Sequence, residues 1–321
     1  MIRIGVEAFL DEALFKNFTR AAEVVRLPAE LSSETAIDFL LSPLKNSTLT
    51  QQLPHLRGLK VIQSIWAGVD AQVPLVPDGV TLCDARGVHT VSTAEWTVAA
   101  ILAMQKYLPF YLELQEQENW AGRLGAQQIY LESHGLSRGF HPPAIVDELA
   151  EATVLIVGYG SIGQAIESRL APFDCKFLRI ARRSRPGVDS VDRLDALLPQ
   201  ADILVLIVPS TTETRHLIDA GRLRKLKQGA LLVNAARGPV VETEALIEAL
   251  SQKRIRAALD VTDPEPLPPG HPLWKCPNLL ITPHVAGSTA KFLPRAIRLA
   301  SEQVDRYVRG EPLLNVVRGS Y

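Results

Sequence analysis

Apolar residues in this chain cluster in short, nearly continuous runs separated by stretches with helical spacing, and that alternation predicts open α/β sheets. In the first 90 residues the runs fall at 2–6, 23–25, 36–41, 59–64 and 80–83. A long helical pattern then starts near Ser92-Thr93-Ala94-Glu95 and continues through Trp96, Val98, Ile101, Leu102 and Met104, with Pro109 as its interruption. Between Trp120 and Asp147 the periodicity fails, and Gly122, Gly125, Gly135, Gly139, Pro142 and Pro143 predict a long irregular segment. Apolar runs resume at 154–157, 176–180, 203–208, 230–234, 255–260 and 279–282. The closing stretch 288–309 returns to helical spacing, with Leu293, Ile297, Ala300, Val304 and Tyr307 on its apolar face.

This order predicts two domains. One sheet is built from residues 1–93 with the tail 289–321 completing it. Residues 94–288 form the second domain, inserted between them, with a connector helix over 94–119 and the irregular segment over 120–148. The fold class is α/β, two doubly wound parallel-sheet domains of Rossmann or flavodoxin type, with two helices as the hinge.

Composition narrows the setting. The chain has 321 residues, 47% of them hydrophobic, enough for a large core. Lys and Arg number 34 against 35 Asp and Glu, which supplies no positive field for nucleic acid. Cys83, Cys175 and Cys276 lack paired spacing, arguing against a disulfide framework or a metal cluster and for a reducing compartment. No apolar run approaches the roughly 18 residues needed to cross a bilayer, and no signal-peptide pattern opens the chain. A cytoplasmic protein without membrane, metal or nucleic-acid partners is expected.

The most specific motif follows the run 154–157: Gly158-Tyr159-Gly160-Ser161-Ile162-Gly163, leading into a helical stretch. Glycines at these positions allow a tight turn, close approach of a pyrophosphate and helix–strand packing, and the helix N-terminus offers N–H groups to the anion. Those six residues are the expected dinucleotide cradle. After the next strand an NAD site usually carries Asp or Glu, about 20 residues past the glycines, for the ribose 2′-hydroxyl. Here the sequence is Ala181-Arg182-Arg183-Ser184-Arg185. Guanidinium groups pair with a 2′-phosphate, so Arg182, Arg183 and Ser184 favour NADP(H), with NAD(H) as the second choice. A solvated basic loop is the bland alternative.

Hydride reduction of a 2-keto acid needs a cation for the carboxylate, a proton donor for the keto oxygen and a group that keeps the donor protonated. Candidates lie at strand ends: Arg237 in Asn234-Ala235-Ala236-Arg237-Gly238, Glu265 between Pro264 and Pro266, and His284 in Pro283-His284-Val285-Ala286-Gly287. Taken singly, each reads as well or better as a capping, turn or structural residue, so the argument rests on their joint occurrence.

The ordered set of the glycine fingerprint, Val208-Pro209-Ser210 with Thr214, Asn234 to Gly238, Leu259-Asp260-Val261 with Pro264-Glu265-Pro266, and Pro283 to Gly287 resembles the D-isomer-specific 2-hydroxyacid dehydrogenase family. Trp66-Ala67-Gly68-Val69-Asp70 and the stretch 310–317 extend the resemblance over nearly the whole chain. The resemblance implies D stereochemistry and a glyoxylate- or hydroxypyruvate-reductase-like activity on a small 2-keto or 2-hydroxy acid. His284 is then the acid/base, Glu265 its partner and Arg237 the substrate-orienting cation. It also implies that backbone N–H groups near Ala67 and Gly68 bind the carboxylate and that Asp260 holds the nicotinamide carboxamide. Val208, Pro209, Thr214, Ala235, Ala236 and Gly287 line the cofactor, and the protein pairs as a homodimer. Trp66 either walls the substrate pocket or packs in the core. A dinucleotide-sensing regulator of the same fold is the alternative function. The turn 148–152 departs from the resemblance in lacking glycine.

Overall fold

Parallel pairing organises both sheets of the computed structural model, which describes residues 1–16, 18, 22–137 and 144–318. The chain divides into two units, Met1–Thr90 with Thr289–Tyr321, and Val91–Ser288. In the first unit, β1 (Ile2–Glu7), β2 (Ala22–Leu27), β3 (Phe39–Leu41), β4 (Val61–Gln63) and β5 (Thr81–Cys83) form one sheet in the order β2-β1-β3-β4-β5. That is the flavodoxin-type order. One face packs Ile4, Val6, Phe39 and Val61 with Ala296, Ile297, Ala300 and Val304 of the helix Phe292–Val308. Buried Gln303 on that helix donates to Gln63 Oε1 at 2.9 Å and to the Leu314 carbonyl at 2.8 Å, satisfying polar groups that would otherwise cost burial energy.

The apolar run 36–41 is not one strand. Thr35–Ala36 pairs with Leu56–Arg57 in a separate two-stranded ladder, and only Phe39–Leu41 enters the main sheet. Between them the Asp38 carboxylate accepts the Arg3 N–H at 2.8 Å, and that side-chain bond replaces a strand pairing.

In the second unit, β6 (Thr153–Val157), β7 (Lys176–Ala181), β8 (Asp189–Ser190), β9 (Ile203–Leu206), β10 (Leu231–Asn234), β11 (Arg256–Leu259) and β12 (Leu279–Ile281) pair in parallel in the order β8-β7-β6-β9-β10-β11-β12. The order is the dinucleotide-fold pattern with one strand added. Residues of β9, β10 and β11 are buried throughout because apolar clusters cover both faces, which explains their continuous rather than alternating apolar runs.

Two expectations require correction. The connector is not a single helix over 94–119: Thr90–Gln105 ends before Tyr107, which adopts φ 51°, and a second helix, Leu108–Glu116, begins with Pro109 in its first turn. Proline has no N–H to continue the ladder toward Gln105, so the chain restarts. The segment 120–148 is not irregular throughout, since it contains a 3₁₀ turn, Trp120–Leu124, and a helix, Gly125–Ser133. Gly125 occupies the first helical position, where it does little harm, and the strong formers Ala126, Gln127, Gln128, Leu131 and Glu132 follow. Gly139, Pro142 and Pro143 of that expectation lie outside the described residues.

A buried cation ties these helices to the amino-terminal edge of the second sheet. Arg256, with a side chain 5% exposed, donates to the carbonyls of Gly229 and Met104 and to Gln105 Oε1, and pairs with Asp147 at 2.9 Å. Asp147 also meets His134 Nε2 at 3.2 Å. Arg256→Met is expected to leave Asp147 buried without its cation and to lower unfolding stability by about 3–5 kcal/mol, measured by urea denaturation.

Candidate active site

The three fingerprint glycines meet three different surroundings. Gly158 has φ 104°, and a Cβ there would lie 2.3 Å from the Ile207 carbonyl oxygen at the end of β9. A Cβ on Gly163 would come within 2.9 Å of the Gly158 oxygen and 3.2 Å of Ile156, so the helix Ser161–Leu170 packs tightly on β6. Gly160 has no atom within 4 Å of its would-be Cβ. Its backbone therefore borders open space at a helix N-terminus, as a bound pyrophosphate requires, and the residues present fit a dinucleotide.

Arg182, Arg183 and Ser184 are exposed just beyond β7. Arg185, which the sequence reading did not single out as a site residue, donates to the Tyr159 carbonyl and lies 5.7 Å over the Tyr159 ring. Its signal was present in the basic run, but the pairing with Tyr159 spans 26 positions and has no local pattern. On the neighbouring loop, the Thr211 hydroxyl foremost, with a smaller contribution from Arg182, holds the Glu213 carboxyl below its usual range. Thr214 Oγ1 donates to the Pro209 carbonyl at 2.7 Å and shapes the loop that follows β9.

The residues proposed for chemistry come from the loops after β10, β11 and β12. Gly238 brings the first two together, because a Cβ at this position would sit 1.9 Å from the Thr262 carbonyl oxygen. Only glycine allows that approach, and it places the Arg237 loop against the segment that carries Glu265. Arg237 Nη1 donates to the Ala236 carbonyl at 2.8 Å, and Asn234 caps the same turn through the Ala236 N–H and the Arg237 carbonyl. Peptide bonds 263–264 and 265–266 are both cis. His284 Nδ1 meets Glu265 Oε1 at 2.6 Å, with both side chains about half exposed.

Asp260 is 2% exposed, and its carboxylate is occupied within the protein. Oδ1 accepts the Thr282 hydroxyl at 2.7 Å and the Val285 N–H at 2.8 Å, and Oδ2 accepts the Ala286 N–H at 2.9 Å. The His284 N–H donates to the Asp260 carbonyl at 2.7 Å while His284 itself adopts φ 53°. Sequence reasoning missed this stitching of the histidine loop and missed Thr282 altogether. A Thr two residues before the histidine was its one visible trace.

Electrostatics follow the geometry. The hydrogen bond that His284 donates to Glu265, helped by the carboxylate charge, raises the His284 pKa above the ordinary imidazole value, against desolvation and the opposing charge of Arg237. Glu265 is lowered correspondingly, first by its bond to His284, with Arg237 adding to the effect. Arg237, Glu265 and His284 thus act on one another within a single unit. Trp66, Ala67 and Gly68 belong to the other unit, on the loop after β4, and are half-buried. Among the described residues no group of His, Cys, Asp and Glu is arranged to hold a metal ion. No helix among them is long and apolar enough to cross a membrane.

The chain is similar to known proteins in sequence and in fold. Residues 98–286 match the family model described as D-isomer specific 2-hydroxyacid dehydrogenase, NAD binding domain. A glyoxylate reductase from Thermofilum pendens is 36% identical over 284 residues, covering 85% of this chain and 79% of the relative. The human glyoxylate reductase/hydroxypyruvate reductase is 32% identical over 265 residues, 80% and 76% of the two chains. Among solved structures, an NADPH-dependent glyoxylate/hydroxypyruvate reductase from Sinorhizobium meliloti, in complex with NADP and sulfate, aligns with a TM-score of 0.79 at 27% identity, over 99% of this chain and 98% of that one.

The His284–Glu265 contact predicts that the imidazole titrates above the ordinary histidine value in the native protein. In Glu265→Gln the charged partner is gone while desolvation and Arg237 remain, so the NMR-monitored midpoint is expected to fall.

Proposed function

The chain belongs to the D-isomer specific 2-hydroxyacid dehydrogenase family, and from that premise we propose that it reduces a small 2-keto acid to the D-2-hydroxy acid with NADPH. Glyoxylate and hydroxypyruvate are the leading substrates. The observation that carries this reading is the 2.6 Å His284–Glu265 bond, formed beside Arg237 in the unit that holds the glycine fingerprint.

The bound nicotinamide supplies the hydride for the keto carbon. His284 gives the proton to the keto oxygen: Glu265 occupies Nδ1, so Nε2 is the ring nitrogen that faces the reaction. Glu265 keeps the imidazole protonated during reduction and ready to accept a proton during oxidation. Arg237 presents a planar, doubly donating cation to the carboxylate and carbonyl of the substrate. The backbone near Ala67 and Gly68 takes the carboxylate. Asp260 holds the histidine loop, and Oδ2, with one donor, keeps acceptor capacity for the carboxamide. Arg182, Arg183 and Ser184, joined by Arg185, favour the 2′-phosphate of NADP, and the fingerprint with Val208, Pro209, Thr214, Ala235, Ala236 and Gly287 forms the rest of the cofactor surface. The named relatives are reductases, and the regulatory alternative gains no support from them.

Mixing the protein with NADPH or NADH and each of several 2-keto acids tests this reading through loss of nicotinamide absorbance. Turnover with NADPH is expected, and inactivity toward every 2-keto acid would overturn the reading. His284→Ala is expected to lower kcat by about 10²–10⁴-fold. Glu265→Gln should move the alkaline limb of the reduction profile to lower pH, because the protonated imidazole is the active form and is lost as pH rises through its pKa.

A homodimer in a reducing cytoplasm completes the proposal. Free Cys83, Cys175 and Cys276 support the compartment. Leu108, Leu112, Trp120 and Leu124, 47%, 58%, 82% and 54% exposed, support a partner surface on the helix 108–116 and the turn after it. Sedimentation is expected to give a dimer for the native protein and a monomer for the double variant Leu112→Arg with Trp120→Arg.

A further inference from the structure

Three rings from distant parts of the first unit lie nearly parallel. Trp66 and Phe292 stack at 4.8 Å between centroids and 18° between planes, Phe292 and His89 at 4.9 Å and 18°, and Trp66 and His89 at 5.9 Å and 5°. All three are half-buried, and the two apolar rings pack against the core formed by Ile65, Val88, Ala296 and Ile297. One border of the cluster is therefore anchored while part of it meets solvent.

The backbone beneath Trp66 is fixed as well. Its N–H donates to Ser64 Oγ at 3.0 Å, and its carbonyl accepts the Ala85 N–H at 2.9 Å. An indole held at its root and stacked on neighbouring rings cannot swing aside without breaking these contacts. The next two residues are Ala67 and Gly68.

We propose that the Trp66–Phe292–His89 stack is a rigid wall that sets the upper size of the 2-keto acid by excluding bulk on the carbon beyond the keto group. This rests on the reading that the Ala67–Gly68 backbone takes the substrate carboxylate. A carboxylate seated there leaves the rest of a small molecule next to the indole, and a wall that cannot yield discriminates by overpacking. A single methylene in such a site is worth about 10–200-fold in kcat/KM. Phe292 and His89 act through Trp66 as positioning residues, so loosening either should relax selection without supplying any new contact to the substrate.

The test is the ratio of kcat/KM for 2-ketobutyrate and phenylpyruvate to that for glyoxylate, in the native protein, Trp66→Ala, Trp66→Phe and Phe292→Ala, with circular dichroism of each. Trp66→Ala is expected to raise the ratio by about 10-fold or more, through a lower KM for the bulkier acids. Phe292→Ala should raise it less, and Trp66→Phe should fall between Ala and the native residue. Unchanged ratios in the variants that retain the native spectrum would overturn the proposal. Turnover of no 2-keto acid by the native protein would instead mark failure of the proposed function itself.

Discussion

One buried carboxylate organises the candidate site of the second unit. Asp260 ends β11, is almost fully withdrawn from water and accepts a hydroxyl and two backbone N–H groups from residues 282–286. An isolated carboxylate would cost several kcal/mol to bury, and three hydrogen bonds to its charged form offset that cost. The same bonds fix the loop after β12 in the conformation that gives His284 φ 53° and turns its ring toward Glu265. Because Glu265 stands five residues beyond Asp260 on the same chain segment, partner and anchor share one short stretch of backbone, and the Asp260 bonds to Val285 and Ala286 tie the neighbouring His284 loop to it.

The parallel sheet explains why the other candidates of the second unit lie on the same border. In a parallel sheet every strand delivers its following loop to one edge. Gly158 follows β6, Arg182 follows β7, Val208 to Thr214 follow β9, Arg237 follows β10, and Asp260 to His284 follow β11 and β12. The opposite edge carries the Arg256–Asp147–His134 network, which joins helix, loop and strand through charges more deeply buried than the Glu265–His284 pair. The buried ion-pair network and the candidate site thus lie at opposite ends of the same strands. At the candidate edge Glu265 and His284 stay half-exposed.

What was legible in the sequence depended on the range of the interaction. The strands of the second unit and the glycine turn were readable because each is decided within a few residues: a fully buried parallel strand must be apolar throughout, and each fingerprint glycine answers a local steric demand. The helix Gly125–Ser133 was hidden by the glycines that open and follow it, Gly125 and Gly135, although the first lies at the helix start where glycine costs little. Likewise Glu151 holds φ 65° in the turn before β6, with its N–H donating to the Asp174 carbonyl. A non-glycine residue in that conformation gives no sign of it in the sequence. Among site residues, Arg237, Glu265 and His284 were visible only as a set, while the Arg185–Tyr159 contact and the Trp66–Phe292–His89 stack join residues whose separation has no period to detect.

The acid–base pair also shows why contact is needed rather than mere proximity. Glu265 and His284 are half exposed, so water screens their charges and a few ångströms of separation would reduce the attraction to a small effect. Arg237 and partial burial both oppose the imidazolium. A direct 2.6 Å hydrogen bond overcomes these two influences because it acts at short range, is strengthened by charge and selects the ring nitrogen that bears the shared proton. The direction of the His284 shift is therefore set by that bond, and the bond is set in turn by the loop that Asp260 holds in place.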